Sequence, residues 1–316
     1  MPGRTAAGPA TQAAQRPDAG RPAARADAGG AAAGREEAAR AARRRRLLAH
    51  VGLVLGAAIM LYPLLWMVAS SFKPETEIFA APDLWPDTVD WHNYARGWNG
   101  LANPFRIFFE NSIVIAIGAV IGNVVSCSLA AYAFACLDFP LRRFWFAVML
   151  MTIMLPHHVT LIPQYILFHQ VGWVNTFLPL IVPHFFAVAA FFIFLMVQFI
   201  RGIPAELLDS ARVDGCGPVR IYRHIVLPLL TPALVTTTIF TFIWTYNDFF
   251  SQLIYLNDME LYTVPVALRT YLDATGESSW GPMFAMSTLA LAPVFAVFLG
   301  FQRLIVQGIA TTGLKS

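Results

Sequence analysis

The residues best spaced for chemistry lie between Ile203 and Pro228. They read Ile203-Pro-Ala-Glu-Leu-Leu-Asp-Ser-Ala-Arg-Val-Asp-Gly-Cys-Gly-Pro, then Val219-Arg-Ile-Tyr-Arg-His-Ile-Val-Leu-Pro. The chemistry this pattern supports is recognition, not bond making. Pro204 suits the first turn of a helix, and Glu206 and Asp209 put negative charge near the positive end of its dipole. Gly215 and Gly217 permit a break with positive φ, after which Val219, Ile221, Tyr222 and Ile225 resume an apolar pattern. The segment therefore reads as helix, turn, helix. Leu207, Leu208 and Ala211 form an apolar patch on the first helix. An exposed knob with an apolar face and a charged rim is what a partner's groove accepts.

Other candidate positions carry weaker signals. Asn247 and Asp248 close an apolar run, where an acid is either a solute contact or a helix-end cap. His157 and His158 follow Pro156, but neighbouring side chains point about 100° apart on a helix, so one metal ion rarely takes both. Cys127, Cys136 and Cys216 form no C-x-x-C pair. The sequence has no G-x-x-x-x-G-K-[ST] phosphate loop, no H-E-x-x-H and no G-x-S-x-G. No enzymatic activity, metal or cofactor is expected in this chain. Gly118 and Gly122 form a G-x-x-x-G pair suited to close helix packing, within the chain or with a sister subunit. Trp66, Trp91, Trp98, Trp173, Trp244 and Trp280 fall near expected helix ends or in external loops. They read as interfacial aromatics, with sugar stacking as the sharper alternative.

The elements that must position these residues are membrane helices. Of 316 residues 57% are hydrophobic and 13% charged, and the apolar residues form runs near the ~20 residues that a helix needs to cross the hydrocarbon core. The first span ends near Phe72, and five more are expected at Phe108 to Ala135, Phe144 to His169, Phe177 to Ile200, Ile225 to Phe250 and Met283 to Val306. Residues 1–42 carry no large apolar residue after Met1 and are expected to be a disordered tail, with residues 43–316 as the membrane domain. The net charge of +3 owes much to ten arginines before residue 47. They suit an anionic membrane surface, not nucleic acid. Basic residues alternate by loop. Arg43 to Arg46, Arg142 and Arg143, Arg201 with Arg212, Arg220 and Arg223, and Arg303 with Lys315 mark the cytoplasmic segments. Both termini and the loop 201–228 are therefore expected inside.

The loop resembles a signature of the permease subunits of ABC importers: Glu-Ala-Ala, three residues, Gly, nine residues, then Ile-x-Leu-Pro. Here it reads Asp209, Ser210, Ala211, then Gly215, then Ile225, Val226, Leu227 and Pro228, with both spacings kept and two of the triplet residues changed. Further stretches are similar to the carbohydrate, maltose-type branch of that family. They are Leu129-Ala-Ala-Tyr-Ala-Phe, Met154-Leu-Pro, Leu161-Ile-Pro-Gln-Tyr, Trp244-Thr-Tyr-Asn-Asp-Phe, Tyr262-Thr-Val-Pro-Val, and Phe301-Gln-Arg with Gly308, Gly313 and Lys315.

The resemblance implies an all-α, MetI-like type I importer fold of six transmembrane helices in the cell membrane. It implies two partner ATPase subunits that bind the ATP, a second and non-identical permease, and an extracytoplasmic solute-binding protein docking on loops 73–107 and 251–282. The coupling residues it implies are Glu206, Leu207, Asp209, Ser210, Ala211, Asp214, Gly215, Ile225, Leu227 and Pro228. The solute would be a sugar or related polar molecule. The same fold importing an amino acid, polyamine or phosphate is the nearest alternative. An ion-coupled transporter or channel is the rival of a different class, and no inverted repeat supports it.

Overall fold

The computed structural model describes residues 23–80, 83–272 and 278–313, with the side chains of 23–42, 157 and 305–313 aside. By internal packing the chain divides into residues 1–64 and 65–316. Every described element is helical. In the first part, α1 begins at Ala23 and runs to Ser70. The N-terminal tail expected to be disordered is thus helical from Ala23 onward, and residues 1–22 lie outside the described residues. Residues 23–42 hold eleven alanines, with Arg and Glu among the remainder. Alanine has the highest helix propensity and Arg and Glu rank close behind, so the segment can be helical without a core to bury.

The second part is a helical bundle built around α3 (Phe105–Cys136), preceded by the short α2 (His92–Asn99). Next come α4 (Arg142–Thr152), α5 (His157–Gln170), the single turn α6 (Leu178–Ile181) and a 3-10 turn over Val182–Phe186. Then follow α7 (Ala190–Arg201), α8 (Ala205–Val213), α9 (Pro218–Ile221), a π-turn over Tyr222–Val226, and α10 (Leu227–Leu229). The chain closes with α11 (Thr231–Tyr246), α12 (Phe250–Tyr255), α13 (Val264–Arg269) and α14 (Trp280–Gly313). Helix α3 is central, packing on α11, α7 and the 3-10 turn.

Among the described residues four helices are long and apolar enough to cross a membrane: Arg43–Ser70, Phe105–Cys136, Leu178–Arg201 and Trp280–Leu304. The pair Pro218–Leu229 and Thr231–Tyr246 is also apolar enough when taken together, but it is bent by 74°, the geometry of a broken span or a re-entrant loop. The continuous third helix expected from Phe144 to His169 is not formed. It is split into α4 and α5 by Ile153 to Pro156. Pro156 has no N–H to continue the ladder and pushes Leu155 away from helical geometry, so a new helix starts at His157.

The polar residues of α3 serve the interior. Asn123 is fully buried and donates to the Thr241 hydroxyl of α11 at 2.8 Å. The Gly118 and Gly122 pair lets α6 and the 3-10 turn press against α3. A Cβ on Gly118 would stand 2.9 Å from Ile181, and one on Gly122 only 2.6 Å from the Phe185 ring. The motif is spent inside this chain rather than on a sister subunit.

Basic residues gather at one end of the bundle, where Arg142 donates to the Leu137 carbonyl at 2.8 Å and the Arg201 guanidinium lies 5.3 Å from the Phe146 ring centre. At α2, Asn93 is buried and donates to the carbonyls of Ser71 (3.1 Å) and Lys73 (2.9 Å). Arg96 bridges Asn93 and Asp90 at 2.8 and 2.5 Å.

Candidate functional site

Helix α8 forms as its sequence dictates. Pro204 precedes it in extended geometry (φ −55°, ψ 130°), and Glu206 lies in its first turn. Its end is more specific. The Gly215 amide donates to the Arg212 carbonyl at 3.0 Å, and the Cys216 amide to the Ala211 carbonyl at 3.0 Å. That is the paired cap in which the residue after the helix is left-handed, and Gly215 has φ 78°. A Cβ there would meet nothing within 4 Å, so the demand for glycine is conformational and not steric. Gly217 has φ −71° and ψ 163°, an ordinary extended residue. Only one of the two glycines carries the expected positive φ.

The nine-residue helix shows two faces. Ala211 is buried, and Leu208 is half-buried against the same cluster, which includes Tyr132, Met196, Ile200, Ile221 and Val226. This corrects the expected apolar patch: Leu208 and Ala211 hold α8 onto its own bundle. Only Leu207 of the three faces outward, joined by Val213 and Val219, which are 87% and 79% exposed. Glu206, Asp209, Ser210 and Asp214 are exposed around Leu207. Asp209 accepts from Arg212 at 2.8 Å, and the Ser210 hydroxyl turns back to the Leu207 carbonyl at 3.1 Å. Beside this acidic helix runs a groove lined by Gly217, Pro218, Val219, Arg220, Arg223 and His224. The exposed surface is acidic on one helix and basic on the next.

Three bonds tie this knob to the end of α3. The Tyr132 hydroxyl donates to the Pro218 carbonyl at 2.9 Å, Ser128 and Tyr222 share a hydroxyl bond at 2.8 Å, and Arg212 reaches the Cys136 carbonyl at 3.3 Å. Ser128 reads from the sequence as a polar residue bonding between helices, Tyr222 as part of the apolar return and Arg212 as a cytoplasmic charge, but the sequence paired none of the four with its partner here. The available signal was Tyr132, one hydroxyl within Leu129-Ala-Ala-Tyr-Ala-Phe. Ile225 and Leu227 are half-buried and Pro228 is exposed, at the return into the bundle. There the π-turn and Pro228 precede the bend before α11.

Asn247 and Asp248 lie apart from this knob, at the far end of α11. The Asn247 side chain donates to the Ile243 carbonyl at 2.8 Å, and Asp248 accepts from the Ser251 amide at 3.2 Å. Both bonds are helix-end bonds. His158 packs edge-on against Phe250 at 5.8 Å, and the His157 side chain lies outside the described residues. No group of three or more His, Cys, Asp or Glu able to hold a metal ion occurs among the described residues. The sequence's Lys315 and its expectation for residues 314–316 also fall outside them.

Comparison with known proteins gives a consistent set of matches. The family model described as "Binding-protein-dependent transport system inner membrane component" matches residues 122–311. Over 257 residues the chain is 33% identical to the probable ABC transporter permease protein YurM of Bacillus subtilis, covering 80% of this chain and 83% of that protein. It is 31% identical over 268 residues to the arabinooligosaccharides transport system permease protein AraQ of Halalkalibacterium halodurans, covering 84% and 95%. It is 30% identical over 273 residues to the trehalose/maltose transport system permease protein MalG of Thermococcus litoralis, covering 86% and 97%. Among solved structures, a bacterial ABC transporter involved in the import of the acidic polysaccharide alginate has a chain with the same fold. The TM-score is 0.72 at 22% identity, over 84% of this chain and 97% of that one.

Proposed function

The chain belongs to the family of binding-protein-dependent transport system inner membrane components, and from that premise we propose that it is the permease through which two partner ATPase subunits drive the uptake of a sugar-type solute. It is a multi-pass inner-membrane ABC permease and not itself an enzyme. The coupling of transport to ATP, the six-span topology with both termini cytoplasmic, the second permease and the external binding protein are parts of this proposal.

One observation carries the coupling reading: the exposed knob of α8, its left-handed Gly215 and α9 with the π-turn is braced against α3 by three side-chain bonds, one from α8 (Arg212) and two at Pro218 and Tyr222. A loop without such bracing would absorb a partner's movement. A braced helix passes it on as rigid-body motion. The proposed seat is a groove on the ATPase with a basic rim for Glu206, Asp209 and Asp214, an acidic rim for Arg220 and Arg223, and an apolar floor for Leu207 and Val213. Solute-loaded binding protein would stimulate hydrolysis through its preference for one of the two states. The sugar class is supported by the carbohydrate systems named for AraQ and MalG.

The test is reconstitution of the chain with its ATPase subunits, second permease and binding protein in proteoliposomes, comparing wild type with Asp209→Lys. Asp209 is exposed and its ion pair with Arg212 is a surface one, worth about 0–1 kcal/mol, so the variant should fold. Loss of ATPase co-purification with an unchanged melting temperature supports docking through α8. Normal assembly and uptake by Asp209→Lys, or uptake by the chain alone on an ion gradient, refutes it.

A further inference from the structure

The span Leu178–Arg201 passes every test of length and apolarity for a membrane helix, yet it is broken at its middle. Helix α6 ends at Ile181, a 3-10 turn carries the chain to Phe186, and α7 begins only at Ala190. Ala187 adopts φ 54° and ψ 39°. Left-handed backbone costs a residue with a Cβ roughly 1–2 kcal/mol, and such a cost persists where the surrounding packing imposes it. The break also interrupts the helical hydrogen-bond ladder. Within the chain, the Ser126 hydroxyl donates to the His184 carbonyl at 2.7 Å, and the Ala190 amide meets the Val188 carbonyl at 3.1 Å. His184 Nδ1 is buried and has no hydrogen-bond partner among the described residues.

The side chains at the break turn outward. Phe186 is 73% exposed and Val188 58%, while Phe192, Ile193, Met196 and Val197 just beyond are buried. Irregular backbone at membrane depth does not face lipid, because acyl chains offer no hydrogen bonds; it is covered by protein or lines a water-filled path. The exposed irregular backbone therefore favours a wet face; His184 Nδ1 is buried behind it and does not line it. The rings nearby fit a sugar. Phe191, one turn beyond Val188, lies 6.3 Å from Trp244, which lies 5.6 Å from Phe240, and all three are exposed. The negative face of an aromatic ring receives C–H groups, while water in such a path receives hydroxyls.

We propose that the broken segment Phe185–Val188, with Phe191 and Trp244, is this subunit's wall of the solute path and takes the C–H faces of a sugar-type solute. The proposal rests on the importer reading above. At the end of α11, one polar atom each of Asn247 and Asp248 makes a helix-end bond.

The experiment uses the full reconstituted transporter, with Cys127, Cys136 and Cys216 replaced by Ala. Phe186→Cys and Val188→Cys are each exposed to a cationic, water-soluble methanethiosulfonate reagent. Controls are Val114→Cys and Ile121→Cys, on the exposed aliphatic stripe of the unbroken α3. The expected result is labelling at the break at least an order of magnitude faster than on α3, and slowed when a saturating sugar is present with binding protein and ATP. Two probes guard against one variant failing to fold. Labelling as slow as at Val114→Cys, labelling indifferent to the sugar, or efficient cross-linking of Phe186→Cys to the second permease would each overturn the proposal. ATP-driven uptake is read separately in the same vesicles. Its absence in the wild type sinks the importer reading, whereas fast sugar-sensitive labelling reports on the path itself.

Discussion

Replacing Gly215 by alanine isolates backbone geometry from every other property of the knob. At φ 78° the new Cβ meets no atom within 4 Å, so no clash enters the calculation. What remains is the left-handed cost of roughly 1–2 kcal/mol, offset by the ~0.4–1 kcal/mol that a Gly-to-Ala change gains by restricting the unfolded chain. The net is about 1 kcal/mol against the capped helix end. If the paired cap must be formed for docking, apparent affinity for the ATPase subunits falls by at most about fivefold, the limit reached when the uncapped end predominates. Gly215→Asn should retain more affinity, since asparagine tolerates the left-handed region. Gly217→Ala is the internal control: two residues away, equally open, with φ −71°, it should bind as wild type does. The assay is titration of the purified ATPase subunits onto the solubilised permease, with solute-stimulated hydrolysis as a second readout. Equal losses for Gly215→Ala and Gly217→Ala, or an asparagine variant no better than the alanine one, would refute the backbone argument.

Three further outcomes follow from contacts in the structure. Tyr132→Phe removes the donor to the Pro218 carbonyl and should lower stability by about 1 kcal/mol while raising ATP hydrolysis in the absence of solute, checked by thermal melting and a basal ATPase assay. Gly122→Val forces a Cβ to within 2.6 Å of the Phe185 ring and should cost about 1–3 kcal/mol through overpacking, read as a lower melting temperature. Asp90 is partly desolvated, which raises its pKa, but bonds from the His92 amide and ring and the Arg96 guanidinium outweigh this and hold it below the ordinary 3.8. Its contribution is therefore complete above pH 3.8 and lost as pH falls through the lower folded value, so melting curves of wild type and Asp90→Asn should differ at neutral pH and converge in strong acid.

The sequence foretold most of this architecture because the strongest signals are local. Long apolar runs placed the spans that contain α3 and α14. The prolines and glycines at 204, 215, 217 and 218 set out the helix, turn, helix of the knob. Local signals also misled: Pro156 was visible, yet the apolar run around it reads as continuous by composition, and only the backbone shows two helices. The faces of α8 were ambiguous because both Leu207 and Leu208 are apolar, and which one packs is decided by the distant Ile200 and Ile221. The ties from Ser128 and Tyr132 span 94 and 86 residues of chain, beyond any periodicity. The break at Ala187 carries no glycine to announce it, since packing from Gly118 and Gly122 on another helix accompanies it.

The bend before α11 also sets a mechanical limit. The arm Pro218–Leu229 has twelve residues and, at a helical rise, reaches about 18 Å from its elbow at Leu230. The Tyr132 bond near its tip is 2.9 Å long and fails beyond about 3.5 Å. A swing of about 2° about the elbow consumes that tolerance. The arm is thus a crank keyed to its shaft: while these bonds hold, torque delivered at α8 turns α3 with it, and any larger stroke must break the Tyr132 bond at the tip and the Ser128–Tyr222 bond further in.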